Sequence, residues 1–193
     1  MTKSMRTASC ALVALLSVLV FSCKEINRQS APVELILSTD QTLQTIDILG
    51  GNGCNQSIGT VSIKAILLQT GNANLPLDTR FDDVQLDRYE VTYVRTDGGT
   101  LIPQPFVRAM SDLITTGGGA TSTPFIAFPP GAFSQAPFAA LLPVNGGRDP
   151  ETGKNYVQME LVLTVFGQTL AGERVSGSTR VPLNFCANCN GCS

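Results

Sequence analysis

The chain has 193 residues, with 13 Lys and Arg against 15 Asp and Glu, a net charge of −2. It contains no histidine and no tryptophan, and only 15% of its residues are charged, against about 25% in an average soluble protein. The missing histidine excludes Ser-His-Asp triads, His-ligated metals and the commonest general base. The basic residues are scattered singly, so no face is expected to neutralise phosphates, and nucleic acid is not an expected partner. A hydrophobic content of 43% argues for a folded chain.

Lys3 and Arg6 form a basic start, and Ala11 to Phe21 is an unbroken apolar run apart from Ser17. The run is too short to cross a hydrocarbon core, which takes about 20 residues, but has the length of a signal-peptide core. It ends in Val20-Phe21-Ser22-Cys23, which resembles the lipobox of bacterial lipoproteins. That resemblance implies removal of residues 1–22 as a signal peptide and acylation of Cys23. It also implies a bacterial envelope location, expected at the outer membrane, with the domain in the periplasm or at the cell surface. Several acyl chains, at about 0.8 kcal/mol per buried methylene, hold a soluble domain firmly to a bilayer. Residues 23–32 then form the lipidated N-terminus and a polar tether closed by Pro32.

From Val33 the sequence alternates with period two, the pattern of half-buried strands. Val33 to Ser38 is the first expected strand. Val61, Ile63 and Ala65 share one face of the next, and Tyr89, Val91 and Tyr93 one face of a third. Pro124 to Phe128 is a middle strand. Tyr156 to Phe166 puts Val157, Met159, Leu161, Leu163 and Val165 on one side, and Arg174 to Phe185 ends the set. Asp97-Gly98-Gly99, Gly117-Gly118-Gly119, Asn145-Gly146-Gly147 and Gly50-Gly51-Asn52-Gly53 mark reversals, and Ala171-Gly172-Glu173 suits a hairpin. These features predict an all-β fold, a single antiparallel β-sandwich of about seven strands over residues 33–185. The stretch Tyr89-Glu90-Val91-Thr92-Tyr93 followed by Asp97-Gly98-Gly99 resembles the third strand and turn of fibronectin type III and immunoglobulin-like domains. The Cys-Trp-Cys core of antibody domains is absent.

Cys10 lies in the leader, which leaves Cys54, Cys186, Cys189 and Cys192, the last three in a cysteine-rich tail over residues 186–193. An exported protein meets oxidising conditions, so two disulfides are expected. The immunoglobulin-like topology implied by the resemblance puts Cys54 and the tail at one end of the sandwich and the lipid at the other. A bond from Cys54 to the tail would close a loop of about 130 residues, worth about 4–5 kcal/mol in the chain-entropy picture, with the remaining two cysteines pairing within the tail. The rival use of the same four residues is a thiolate site for zinc or an iron–sulfur cluster. Redox chemistry is disfavoured, because no helix follows the tail's Cys-x-x-Cys.

Three further groups bear on function. Asp78, Asp82, Asp83 and Asp87 crowd one connection and are a candidate calcium cluster, though the spacing departs from the helix–loop–helix calcium loop. Phe125, Phe128, Phe133 and Phe138 fall in the proline-rich segment 123–144, offering either an apolar surface to a protein partner or a cap on the sandwich. Gly117-Gly118-Gly119 lacks a following Lys-Ser/Thr and is a turn, not a phosphate cradle. The expected function is a non-catalytic binding or structural module of the cell envelope, held to the bilayer through Cys23, with an envelope protein as partner and no cofactor. The alternatives are a carboxylate-dependent hydrolase using Asp82, Asp83 or Glu160, and a carbohydrate-binding module drawing on Tyr89, Tyr93 and Tyr156.

Overall fold

The computed structural model describes residues 32–39, 43–49, 58–68 and 79–189. The leader, Cys23, the tether up to residue 31, Cys54, Asp78 and Cys192 lie outside these residues, as does the Gly50–Gly53 turn. Among the described residues there are nine strands and no α-helix, and no helix is long and apolar enough to cross a membrane.

The strands are β1 (Val33–Ser38), β2 (Gln44–Asp47), β3 (Ile58–Leu67), β4 (Val84–Arg95), β5 (Phe106–Ala109), β6 (Leu113–Ile114), β7 (Thr121–Ile126), β8 (Tyr156–Thr169) and β9 (Arg174–Cys186). They form two sheets, one ordered β1-β3-β7 and one ordered β2-β9-β8-β4-β5, with β6 paired to β4. The expected all-β sandwich is therefore the observed architecture. Every pairing is antiparallel except β2 with β9, which runs parallel from Gln44 opposite Leu183 to Asp47 opposite Cys186.

The alternation in the sequence sets which side chains enter the core. Val157, Met159, Leu161, Leu163 and Val165 on β8 are all at most 1% exposed, as are Val61, Ile63 and Ala65 on β3. On β4 the register against β8 skips one residue between Leu86 and Arg88. This bulge changes the parity of the strand, so Val84 and Leu86 point inward before it and Tyr89, Val91 and Tyr93 after it. Opposite the bulge stands Gly167, where a Cβ would lie 2.6 Å from the carbonyl oxygen of Gln85, so only glycine fits. Gly177 plays the same part between sheets. A Cβ there would sit 2.5 Å from the Leu35 oxygen, and its absence lets β9 and β1 close one side of the sandwich.

The middle strand differs from its expected span, beginning at Thr121 and ending at Ile126. Pro124 is tolerated because, among the described residues, β7 is the edge of its sheet and pairs only with β3. Beyond Ile126, hydroxyls replace the ladder. The Ile126 N–H donates to Tyr89 Oη at 3.0 Å, and Tyr93 Oη donates to the Ala127 carbonyl at 2.7 Å. Both tyrosines belong to the opposite sheet, so they tie the layers together. Burial pushes the Tyr93 phenol well above its ordinary range. The expected β8–β9 hairpin is present, with Gly172 at φ 91 and the Thr169 N–H donating to the Glu173 oxygen at 2.8 Å.

Candidate functional site

The proline-rich segment turns inward. After β7 it runs through short 3-10 turns at Ala132–Ser134, Phe138–Leu141 and Pro143–Asn145. Phe128 is 1% exposed and Phe138 is not exposed at all. The Phe128 ring stacks on Tyr93 at 5.4 Å and meets Phe185 edge-on at 5.3 Å, while Phe138 packs on Phe185 at 4.5 Å. Phe133 is half-buried against Phe128 and Phe138, and Phe125 is buried edge-on to Tyr89. Of the two expected roles for Phe125, Phe128, Phe133 and Phe138, a partner surface or a cap on the sandwich, this burial fits the cap. Burying these rings inside the chain is worth about 1.5–3 kcal/mol each, more than a solvent-exposed loop would gain by presenting them. They cap the core.

The acidic candidates do not converge. Asp83 is buried and accepts the Thr116 N–H at 2.8 Å, while the Asp82 backbone oxygen takes the Thr116 hydroxyl at 2.6 Å. Asp87 is exposed and paired with Arg88 at 3.0 Å, and Glu160 pairs with Arg180 at 2.8 Å. Among the described residues no three His, Cys, Asp or Glu side chains come together as a metal site. Two of the tyrosines considered for sugar binding, Tyr89 and Tyr93, are interior.

One buried charge cluster has no local signature in the sequence. The Arg95 guanidinium is 2% exposed and donates to both carboxylate oxygens of Asp97, at 2.7 and 2.8 Å, and to Asp149 Oδ2 at 2.9 Å. It also donates to the Leu101 carbonyl at 3.1 Å and lies 3.8 Å from Glu151. Asp97 further accepts the backbone N–H groups of Gly99 and Gln158. Burial by itself raises the Asp97 carboxyl, but the hydrogen bonds from Arg95, Gln158 and Gly99 outweigh it and hold the group down at about 2. Asp149 is held low in the same way, against burial, by Thr152 and Arg95. Its second oxygen, Oδ1, is buried with no hydrogen-bond partner among the described residues. Glu151 takes the Thr100 and Leu101 N–H groups and the Thr100 hydroxyl. The cluster latches the β4–β5 loop to the loop before β8. Arg95 and Asp97 are separated from Asp149 by more than fifty residues, so spacing could not reveal it.

At the end of β9, Cys186 and Cys189 are joined by a disulfide, a pairing within the tail. The buried Asp47 carboxylate at the end of β2 holds this loop. It accepts the N–H groups of Leu49, Asn188 and Cys189 at 3.0, 3.2 and 3.3 Å. Asn188 adopts φ 56, the left-handed conformation that asparagine tolerates.

Among the described residues, a concavity lies between the sheets beside Thr39 and Gln44. It has a volume of about 490 Å³ and is open to solvent on one side, within the size range of small-molecule sites. Ile46, Leu161, Val181 and Leu183 line it from one sheet, and Gly59, Phe125, Ala127 and Phe128 from the other side. The polar side chains of Thr39, Gln44 and Thr60 complete the lining. Thr60 is exposed and the other two half-buried, so these groups form the mouth. A Cβ at Gly59 would sit 2.6 Å from the Phe125 ring, so glycine is what lets that ring lie across β3. None of its described lining residues is charged.

No family model, no curated protein and no solved structure matches the chain.

Proposed function

We infer that the chain is a lipid-anchored, non-catalytic binding module of the bacterial cell envelope, with an immunoglobulin-like sandwich as scaffold and the inter-sheet cavity as its binding site. The concavity between the sheets carries this reading, its described lining combining apolar residues with Thr39, Gln44 and Thr60 and no charge. The carboxylates considered for catalysis are engaged elsewhere, Asp83 with Thr116 and Glu160 with Arg180. The strand orders β1-β3-β7 and β2-β9-β8-β4-β5, with the N-terminal strands divided between both sheets, support the immunoglobulin-like type. The anchor rests on Lys3, Arg6, the Ala11–Phe21 run and Val20-Phe21-Ser22-Cys23.

Anchoring is tested by feeding an alkyne-tagged palmitate to bacteria that produce the chain. The wild type should carry the tag and sediment with the outer membrane, whereas Cys23→Ser should lose the tag and leave the membrane fraction. Tag incorporation unchanged in Cys23→Ser would overturn the anchor.

A further inference from the structure

We propose that the end of the sandwich bearing Phe81 and Leu170 rests on the bilayer surface, with these two side chains entering the acyl boundary. The proposal goes beyond the binding-module reading above and rests on the anchor in it. The two residues sit together. The Ala171 N–H donates to the Phe81 carbonyl at 3.0 Å and the Leu170 N–H to the Asp83 carbonyl at 2.9 Å, so the β8–β9 hairpin lies against the 3-10 turn Thr79–Asp82. Phe81 is 63% exposed and Leu170 54%, which leaves apolar surface in water at one place. The chain that leads back to Cys23 leaves the domain at this same end. The Pro32 carbonyl accepts the Leu68 N–H at 2.6 Å, and the nearby Ala65 carbonyl accepts the Gly117 N–H at 3.2 Å. The adjoining Thr116 N–H donates to Asp83, which ties Pro32 and the hairpin to one end. Pro32 follows Cys23 by nine residues, which span at most about 32 Å when fully extended. Acyl chains on Cys23 therefore hold this end within that distance of the lipid. A weak contact is then enough, because the anchor makes it intramolecular. Arg80 and Asp82 flank Phe81, and Glu173 and Arg174 follow the hairpin turn, so the neighbouring charges cancel. The contact is apolar and does not call for anionic lipid.

The chain has no tryptophan, so Phe81→Trp gives it a single such fluorophore. The full-length chain purified from bacteria is reconstituted into phosphatidylcholine vesicles, with and without bromine on the acyl chains near the head group. The control Val144→Trp puts the fluorophore at an 87% exposed position. It lies on the segment that packs on Phe185, at the other end of the β8–β9 pair. Phe81→Trp should emit at shorter wavelength than the control and be about twofold dimmer with brominated lipid, as expected of a ring within the acyl boundary. Val144→Trp should be unquenched. Adding Leu170→Asp to Phe81→Trp should remove most of the shift and the quenching while the melting temperature stays within a few degrees. Water-like, unquenched emission from Phe81→Trp in vesicles that carry the chain overturns the proposal, as does equal quenching of Phe81→Trp and the control. Short-wavelength emission without quenching overturns it too, since the ring is then covered by this chain or by a second copy. Quenching unchanged by Leu170→Asp overturns the paired surface. A wild-type chain that fails to sediment with the vesicles overturns the anchor and the contact together, whereas sedimentation without quenching overturns the contact alone.

Discussion

Replacing Arg95 by alanine should destabilise the sandwich by about 3–5 kcal/mol, measured by guanidinium denaturation, because it strands buried carboxylates without a counter-ion. Asp97 and Asp149 have fully buried side chains, and Arg95 supplies two hydrogen bonds to one and one to the other. Arg95→Met should cost nearly as much, since refilling the volume leaves the charges unpaired. Adding Asp97→Asn to Arg95→Met should recover part of the loss, a non-additivity expected of groups in one network. A loss under 1 kcal/mol for Arg95→Ala would show that the latch does not hold the fold. The same network sets an acid limb. Asp97 titrates at about 2 in the folded chain, below its unfolded value near 4. The stability it contributes is therefore complete above about pH 4 and is lost as the pH falls from 4 through 2. Thermal melts should be flat from pH 7 to 5 and then drop, less steeply in Asp97→Asn.

Phe138→Ala should cost about 3–5 kcal/mol, against a smaller loss for Phe133→Ala. The Phe138 ring has no exposed surface and touches Phe128, Phe133 and Phe185, while Phe133 keeps one side toward solvent. The spread matters as much as the size. Equal small effects at both positions would return these rings to the surface role that the sequence also allowed. Equal large effects would mean that Phe133 closes the core as completely as Phe138 does.

The strands were legible wherever burial alternated over enough residues. β8 declares itself through five inward residues, and the Tyr89–Tyr93 face is read correctly although it begins only after a bulge. β2, β5 and β6 were not legible, because four residues or fewer cannot display a period. β2 in addition draws its pairing from β9, some 140 positions away. The phenylalanine-rich segment showed that its prolines forbid a central strand, but not whether its rings face in or out. That is decided by Tyr93 and Phe185, which lie elsewhere in the sequence and receive them. The candidate site was hidden for the same reason. Its walls come from five strands and the segment after β7, and each residue in them reads locally as ordinary core. The Arg95 latch left only the trace of Asp97-Gly98-Gly99, read as a turn.

The parallel pairing of β2 with β9 has a mechanical consequence. β2 runs in the same sense as β9, so Gln44 and Cys189 stand at opposite ends of their seam. Tension applied between these ends pulls β2 and β9 lengthwise past each other, loading the pairs from Gln44–Leu183 to Asp47–Cys186 together rather than one after another. Asp47 adds its grip on the Asn188 and Cys189 amides at the far end of the same seam. A chain held at the start of β2 and tugged beyond Cys189 thus resists in shear, the direction in which a short ladder is hardest to part.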